Sequence, residues 1–309
     1  MVIKKITTVE PILLTGANGF LGNQIANFFH NNHTKIYGIS HGVQNNSFVE
    51  QIHDDILSVK RLPCDISTIL HFAALTNIQT CEKNPEKCFE VNVNGTKKLL
   101  DLARINDSDF IFASSSHVYG NPEFLPIDEN HPLKPISIHA KSKVKAESLC
   151  EEYSKSYGLK IKIIRTFSIY GSNSPSYSII SRIINQILNH QKIILGTVKT
   201  KRDFLHISDF LSAIDILIKT NFDGCSKFNI GYGESISIKE ICTKLLDISK
   251  LQLSIESDPN LFRNNEIDEL ICDNSKLKQL GWTPKITLDE GLTQVFNWFK
   301  LNSKNTKYS

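Results

Sequence analysis

With 309 residues, of which 40% are hydrophobic and 22% charged, the chain has the composition of an ordinary globular protein, and it is long enough for two domains or one large α/β domain with an appended part. The net charge of +3, with no basic stripe interleaved with aromatics beyond short runs such as Lys199 to Arg202, leaves no nucleic-acid footprint. No stretch reaches the roughly 18 consecutive apolar residues of a membrane span, and the N-terminus carries no apolar export signal, so a cytoplasmic protein with no membrane partner is expected.

Taken in chain order, Pro11 to Gly16 is a short apolar run ending in glycine, which suits a buried parallel strand. From Phe20 to Asn31 the apolar residues Phe20, Leu21, Ile25, Phe28 and Phe29 fall on one helical face. Lys35 to Ile39 reads as a second strand, before a polar loop with Gly42, Asn45 and Asn46. Thr68 to Phe72 is another buried strand and Pro85 to Ile105 a long helix. Phe110 to Ala113 is a strand that runs into Ser114, Ser115 and Ser116. A helix opening near His139 and a strand from Lys160 to Thr166 complete an alternation that predicts right-handed βαβ units and a parallel α/β sheet. Past Gly171 the pattern loosens. Helices at Ile179 to His190, Asp209 to Lys219 and Ser237 to Ser249, a turn at Gly281 to Pro284 and a last helix ending near Lys300 suggest a smaller second lobe.

Seven cysteines, Cys64, Cys81, Cys88, Cys150, Cys225, Cys242 and Cys272, form an odd set with no CxxC pair and no histidines at zinc spacing. They read as reduced, packed thiols, and no metal is expected.

Two stretches carry chemistry. The loop Gly16-Ala17-Asn18-Gly19-Phe20-Leu21-Gly22 lies between the first strand and the first helix. Glycines there let backbone approach a pyrophosphate, and the helix start offers it free N–H groups. At the end of the second strand no carboxylate follows Ile39. Ser40 and His41 could accept a 2′-phosphate, so of NAD and NADP the second is favoured. In the other stretch, His139 and Lys143 stand four apart at a helix start, so two ionisable groups share one face. That arrangement suits acid/base work and equally a solvated helix.

These motifs resemble the extended short-chain dehydrogenase/reductase family of nucleotide-sugar epimerases, dehydratases and reductases. Gly16, Gly19 and Gly22 match its GxxGxxG, His71-Phe72-Ala73-Ala74 its HLAA, Asn92 to Thr96 its NVxGT, and Asp55-Ile56 its adenine-contacting pair. Ser114 to Gly120 resembles SSxxVYG, and Arg165 to Gly171 resembles RxxNxYG with Ser168 at the usual asparagine. Arg202-Asp203-Phe204 resembles the RDF of the substrate lobe. The resemblance implies a Rossmann-type doubly wound sheet over 1–166, with 203–224 returning to it. It implies a C-terminal α/β nucleotide-sugar lobe from 167–202 and 225–300, with 301–309 a frayed tail. It places the cofactor against the glycine loop, Asp55, Ile56, Phe72, Ala73, Ala74, Asn92, Lys143 and Thr166. Ser115, Ser116, Ser168, Arg202 and Arg263 fall to the nucleotide sugar. A homodimer through two long helices is also implied.

The family carries Tyr-x-x-x-Lys where this chain has His139 and Lys143, with Pro132, Pro135, Ser137, Ser142, Ala146 and Glu147 holding the register. Ser115, His139 and Lys143 are therefore the expected catalytic residues. A lysine's field lowers a tyrosine pKa from about 10, but it disfavours imidazolium, whose reference pKa is about 6.5. Neutral imidazole is a competent base and a poor acid. If His139 is the proton donor of a carbonyl reductase, activity rises as pH falls. Ser116 and His117 replace the acid/base pair of 4,6-dehydratases, which disfavours dehydration. The segments Lys199 to Phe204, Cys272 to Lys278 and Gly281 to Pro284 look most like reductases of 4-keto-6-deoxy sugars. A 4-epimerase with retained NAD, and a catalytically silent nucleotide-sugar binder, are the competing expectations.

Overall fold

The structure, a computed structural model, describes residues 11–40, 46–262 and 266–305. By contacts the chain divides into two compact units. The first comprises 1–114, 138–164 and 220–226, and the second 115–137, 165–219 and 227–309.

In chain order the first elements are β1 (Ile12–Thr15), α1 (Phe20–Asn31), β2 (Ile36–Ser40), β3 (Glu50–His53), β4 (Thr68–His71), α2 (Ile78–Lys83), α3 (Pro85–Phe89), α4 (Gly95–Asn106), β5 (Asp109–Ser115), α5 (Ile138–Tyr157) and β6 (Ile161–Thr166). They continue as β7 (Ser168–Tyr170), α6 (Ile179–Leu188), β8 (Ile193–Leu195), β9 (Lys201–Arg202), β10 (Phe204–His206), α7 (Ile207–Lys219), β11 (Cys225–Ile230), β12 (Ile236–Ser237), α8 (Ile238–Ser249), β13 (Ile255–Ser257), α9 (Ser275–Gln279) and α10 (Leu288–Asn305).

Seven strands form one sheet in the order β11-β6-β5-β4-β1-β2-β3, and β1 pairs in parallel with both β2 and β4. Strand order reverses between β1 and β4, the switch point at which such sheets bind ligands beyond the strand ends. All four residues of β1 and of β4 are buried, as expected for strands covered on both faces. Leu13, Ile69, Phe110 and Phe112 from the strands meet Leu99, Leu100, Ala146 and Cys150 from the helices in the core.

The doubly wound sheet expected from the alternation is present. Three features escaped the pattern. Strand β3, Glu-Gln-Ile-His, is a polar edge strand with half-exposed side chains, and such edges lack the apolar run that marks a central strand. The other edge, β11, is Cys-Ser-Lys-Phe-Asn-Ile, equally mixed. The single helix read over Pro85 to Ile105 is interrupted by a π-turn at Glu90–Asn94, where the Gly95 N–H reaches back to the Glu90 carbonyl.

In the second unit, β7 pairs with β10, β9 with β12 and β8 with β13. Its core gathers Ile183, Ile184 and Ile187 of α6, Ile241 and Leu245 of α8, and Leu292, Val295 and Phe296 of α10. Residues 203–219, expected to return to the dinucleotide-binding domain, fall in this unit, because α7 is tied here by Trp282. The Trp282 indole N–H lies 3.1 Å from the Asp209 carbonyl and 2.9 Å from Ser212 Oγ. The Asp209 carboxylate in turn accepts the Lys285 and Ile286 N–H groups at 2.9 Å each. The tail expected to fray from Leu301 is instead helical as far as Asn305.

Asp203 is the unit's polar centre. Its carboxylate accepts backbone N–H groups from Tyr232 at 2.7 Å, Gly233 at 2.8 Å and Cys272 at 3.0 Å. Burial pushes its pKa up from 3.8 to about 6, against the pull of those three donors. A folded pKa above the unfolded one adds stability that is full below about pH 4 and is lost as pH rises through about 6. We expect Asp203→Asn to remove that pH dependence. Its amide N–H₂ faces donors, so it should also cost about 2–3 kcal/mol at pH 7. Thermal unfolding across pH 4 to 7 tests both, and an unchanged midpoint at pH 7 would refute the assignment.

Candidate active site

The glycine loop follows β1 at the switch point. Gly16 has φ +76°, and a Cβ there would lie 2.8 Å from the Ala73 nitrogen. A Cβ on Gly22 would collide with the Gly16 carbonyl oxygen. Glycine at these two positions is thus required by the tight turn and by the close packing of α1 on it. Gly19 is the N-cap of α1, with no side-chain cap and no acidic residue in the first turn, which leaves the helix start suited to an anion. The residues present fit the pyrophosphate of a dinucleotide, which the backbone of Gly19, Phe20 and Leu21 would hold.

Beneath this loop runs a buried polar chain. Thr15 Oγ1 lies 2.8 Å from His71 Nδ1 and accepts the Ala73 N–H at 3.1 Å. His71 Nε2 lies 3.0 Å from Thr96 Oγ1, whose hydroxyl donates to the Asn92 carbonyl at 2.7 Å. Asn92 sits in the π-turn, and its carboxamide is engaged inside the protein. Its Oδ1 accepts from Leu75 N at 2.8 Å, while Nδ2 donates to the Leu75 carbonyl at 3.0 Å and to Ser142 Oγ at 2.9 Å. The Ser142 hydroxyl closes the chain by donating to the His139 carbonyl at 2.7 Å. Burial, with the charge of Lys143, lowers the His71 pKa to about 3, so the ring is neutral.

His139 and Lys143 are both buried on the first turns of α5. The helix start is held by Glu82 of α2, whose carboxylate accepts the Ile138 N–H at 2.8 Å. Lys143 Nζ donates to the Ala113 carbonyl at 2.7 Å and lies 4.8 Å from the centroid of the Phe112 ring. Burial lowers its pKa to about 8, with Cys88 and Glu147 opposing the shift. One turn further on, buried Glu147 accepts the Ser114 hydroxyl. The lysine is therefore a desolvated cation whose charge titrates near physiological pH, a hallmark of functional sites.

The nearest tyrosines on either side of His139 in sequence are engaged elsewhere. The Tyr153 hydroxyl donates to Asp101 at 2.8 Å. That of Tyr119 donates to Asn229 Oδ1 at 2.6 Å and accepts from Arg165 Nη1 at 3.0 Å.

The remaining expected residues fall as follows. Ser115 ends β5 and accepts the His117 N–H at 3.2 Å, capping a short 3-10 turn in which Ser116 is buried. Ser168 opens β7, its N–H bonded to the Asp203 carbonyl at 3.0 Å. The Arg202 guanidinium donates to the Lys201 carbonyl at 2.7 Å. Asp55 caps its own turn, accepting the Leu57 N–H at 2.6 Å, and Ile56 packs against Gly95. Phe72, Ala73 and Ala74 follow β4 half-buried, and Thr166 ends β6. Ser40 is the last residue of β2, whereas His41 and Arg263 lie outside the described residues. All seven cysteines are free thiols. Among the described residues no group of His, Cys, Asp and Glu could hold a metal ion, and no helix is long and apolar enough to cross a membrane. Thr15, Thr96, Ser142 and Glu82 were not anticipated as site residues. The first three lie within or beside the recognised motifs, while Glu82 carries no local signal.

A Rossmann sheet with a glycine-cornered loop at its switch point, and a buried lysine on the helix after β5, define a dinucleotide-dependent oxidoreductase. The sequence profile described as GDP-mannose 4,6 dehydratase matches residues 13–295. A candidate UDP-glucose 4-epimerase of Methanocaldococcus jannaschii is 34% identical over 95% of this chain and 99% of its own length. A dTDP-D-glucose 4,6-dehydratase of Dictyostelium discoideum is 29% identical over 77% of this chain and 65% of its own. Among solved structures, UDP-glucuronic acid 4-epimerase of Bacillus cereus, in complex with UDP-glucuronic acid and NAD, superposes with a TM-score of 0.87. It has 27% identity and covers 94% of this chain and 99% of that one. The chain belongs to the extended short-chain dehydrogenase/reductase family, among the NAD-dependent epimerases and dehydratases of nucleotide sugars.

Proposed function

We propose that the protein is a nucleotide-sugar 4-epimerase using NAD, with His139 as the proton-transferring group and Lys143 beside the cofactor ribose. The observation that carries this reading is the burial of His139 and Lys143 on the first turns of α5, with Lys143 desolvated. A reductase must begin its cycle with a proton donor, which a histidine beside a cation supplies poorly. An epimerase begins by removing a proton. A ring nitrogen of His139 takes the C4 hydroxyl proton as hydride leaves C4, and returns it to the C4 oxygen when hydride comes back to the opposite face of the sugar. A bound nicotinamide supplies the hydride acceptor and donor. Lys143 holds its charge below about pH 8 and orients the ribose. Ser115 remains the proposed hydrogen-bond donor to the reacting oxygen.

The solved Bacillus cereus relative contains NAD, which supports NAD over the NADP favoured by the loop after Ile39. The 4-keto-sugar reductase is the second reading. The segments that favoured it contain Asp203, Cys272 and Trp282, all bonded within the second unit, so they do not choose between reactions.

A thermal-shift panel of UDP, GDP, dTDP and CDP sugars with NAD or NADP tests ligand class, because binding stabilises whether or not turnover occurs. A uniform absence of shift would sink the nucleotide-sugar reading. Interconversion of UDP-glucose and UDP-galactose without net NADH formation supports the epimerase. Stoichiometric NAD(P)H consumption on a 4-keto-6-deoxy sugar supports the reductase instead.

A further inference from the structure

Every hydrogen in the buried chain below the glycine loop can be assigned. Thr96 has one hydroxyl proton and gives it to the Asn92 carbonyl, so toward His71 Nε2 it can only accept. His71 Nε2 therefore carries the N–H. A neutral imidazole has a single N–H, so Nδ1 is the acceptor and the Thr15 hydroxyl donates to it. The lone pairs left on Thr15 Oγ1 receive the Ala73 N–H. All the donors and acceptors are matched in one direction, and the Asn92 carboxamide and Ser142 hydroxyl continue the chain to the His139 carbonyl.

We propose that His71 is a positioning residue that couples the dinucleotide loop after Thr15 to the first turn of α5, through Thr96, Asn92 and Ser142. The inference rests on the reading that loop 16–22 holds the dinucleotide. Buried networks whose members are all satisfied fix one geometry, and breaking one link releases the rest. A disturbance at Thr15 therefore reaches His139 and Lys143, although Thr15 lies on β1 and the pair on α5.

Thr15→Val keeps the shape of the side chain and deletes the hydroxyl, while Thr15→Ser keeps the hydroxyl. We expect Thr15→Val to weaken NADH binding about tenfold, with Thr15→Ser within about twofold of the parent. Backbone amide exchange at Ala140 to Lys143 should quicken by about tenfold in Thr15→Val and not in Thr15→Ser. In the unsubstituted protein, nitrogen-15 NMR should report His71 as the Nε2–H tautomer, unchanged between pH 5 and 9. Unchanged exchange on α5 in Thr15→Val overturns the coupling even if no dinucleotide binds. Absence of NADH or NADPH binding by the parent protein refutes the dinucleotide reading by itself. A Thr15→Val protein that loses only thermal stability, or a His71 ring with its proton on Nδ1, also overturns the proposal.

Discussion

Replacing His139 by phenylalanine should lower kcat for nucleotide-sugar epimerisation by about 10²- to 10⁴-fold, the usual contribution of a positioned acid/base group. Phenylalanine fills the buried site on α5 without a titratable atom, so nucleotide-sugar and NAD affinities should change little. A companion substitution, His139→Tyr, installs the tyrosine of the Tyr-x-x-x-Lys motif that this stretch resembles, next to a lysine whose field eases phenol ionisation. It should recover activity well above the His139→Phe level, with a different pH profile. Steady-state kinetics with single-turnover measurement of cofactor reduction separates the chemical step from release. Equal kcat in the parent and the phenylalanine variant would remove His139 from the chemistry and favour a protein that binds without turning over.

Lys143→Met should cost at least about 10²-fold in kcat while leaving the protein no less stable at pH 7. The buried ammonium carries a penalty, since its pKa falls from 10.5 to about 8 in the folded state. A lowered folded pKa means stability that is fully present above pH 10.5 and lost as pH falls through about 8. At pH 7 the whole penalty applies, about 3 kcal/mol, and it is offset in the variant by the Ala113 carbonyl left without its donor, about 1–3 kcal/mol. Urea unfolding of both proteins should show the parent gaining on the variant between pH 8 and 10.5. The same titration predicts that parental kcat falls above about pH 8. A stability difference that is flat over this range would contradict the assignment of a desolvated lysine.

The central strands and the glycine loop were legible because a buried parallel strand needs a continuous apolar run and a turn with φ +76° needs Gly16. The placing of His139 and Lys143 followed from the resemblance of the residues around them to the family's Tyr-x-x-x-Lys stretch. Edges β3 and β11 were not legible, since exposed edge strands carry the polar residues that also mark loops. The polar chain was hidden for another reason. Thr15, His71, Thr96, Asn92 and Ser142 are short motif residues whose partners lie up to 58 positions away, and no local periodicity reports such pairing. Asn92, expected at the cofactor, has its carboxamide bonded to Leu75 and Ser142. Glu82 at the start of α5 lies 56 residues from its partner and belongs to no motif.

The π-turn at Glu90–Asn94 has a consequence for which sequence lengths this fold tolerates. One extra residue in a helical turn offsets everything downstream by about 100° relative to an uninterrupted α-helix. Cys88 before the π-turn and Asn92 within it meet Ser142 of α5, whereas Leu99 and Leu100 after it join the core beside the sheet. Deleting one residue here would restore regular helix geometry and improve the local hydrogen bonding. It would also leave one of those two faces pointing away from its partner, so the irregular length is itself a packing requirement of this fold.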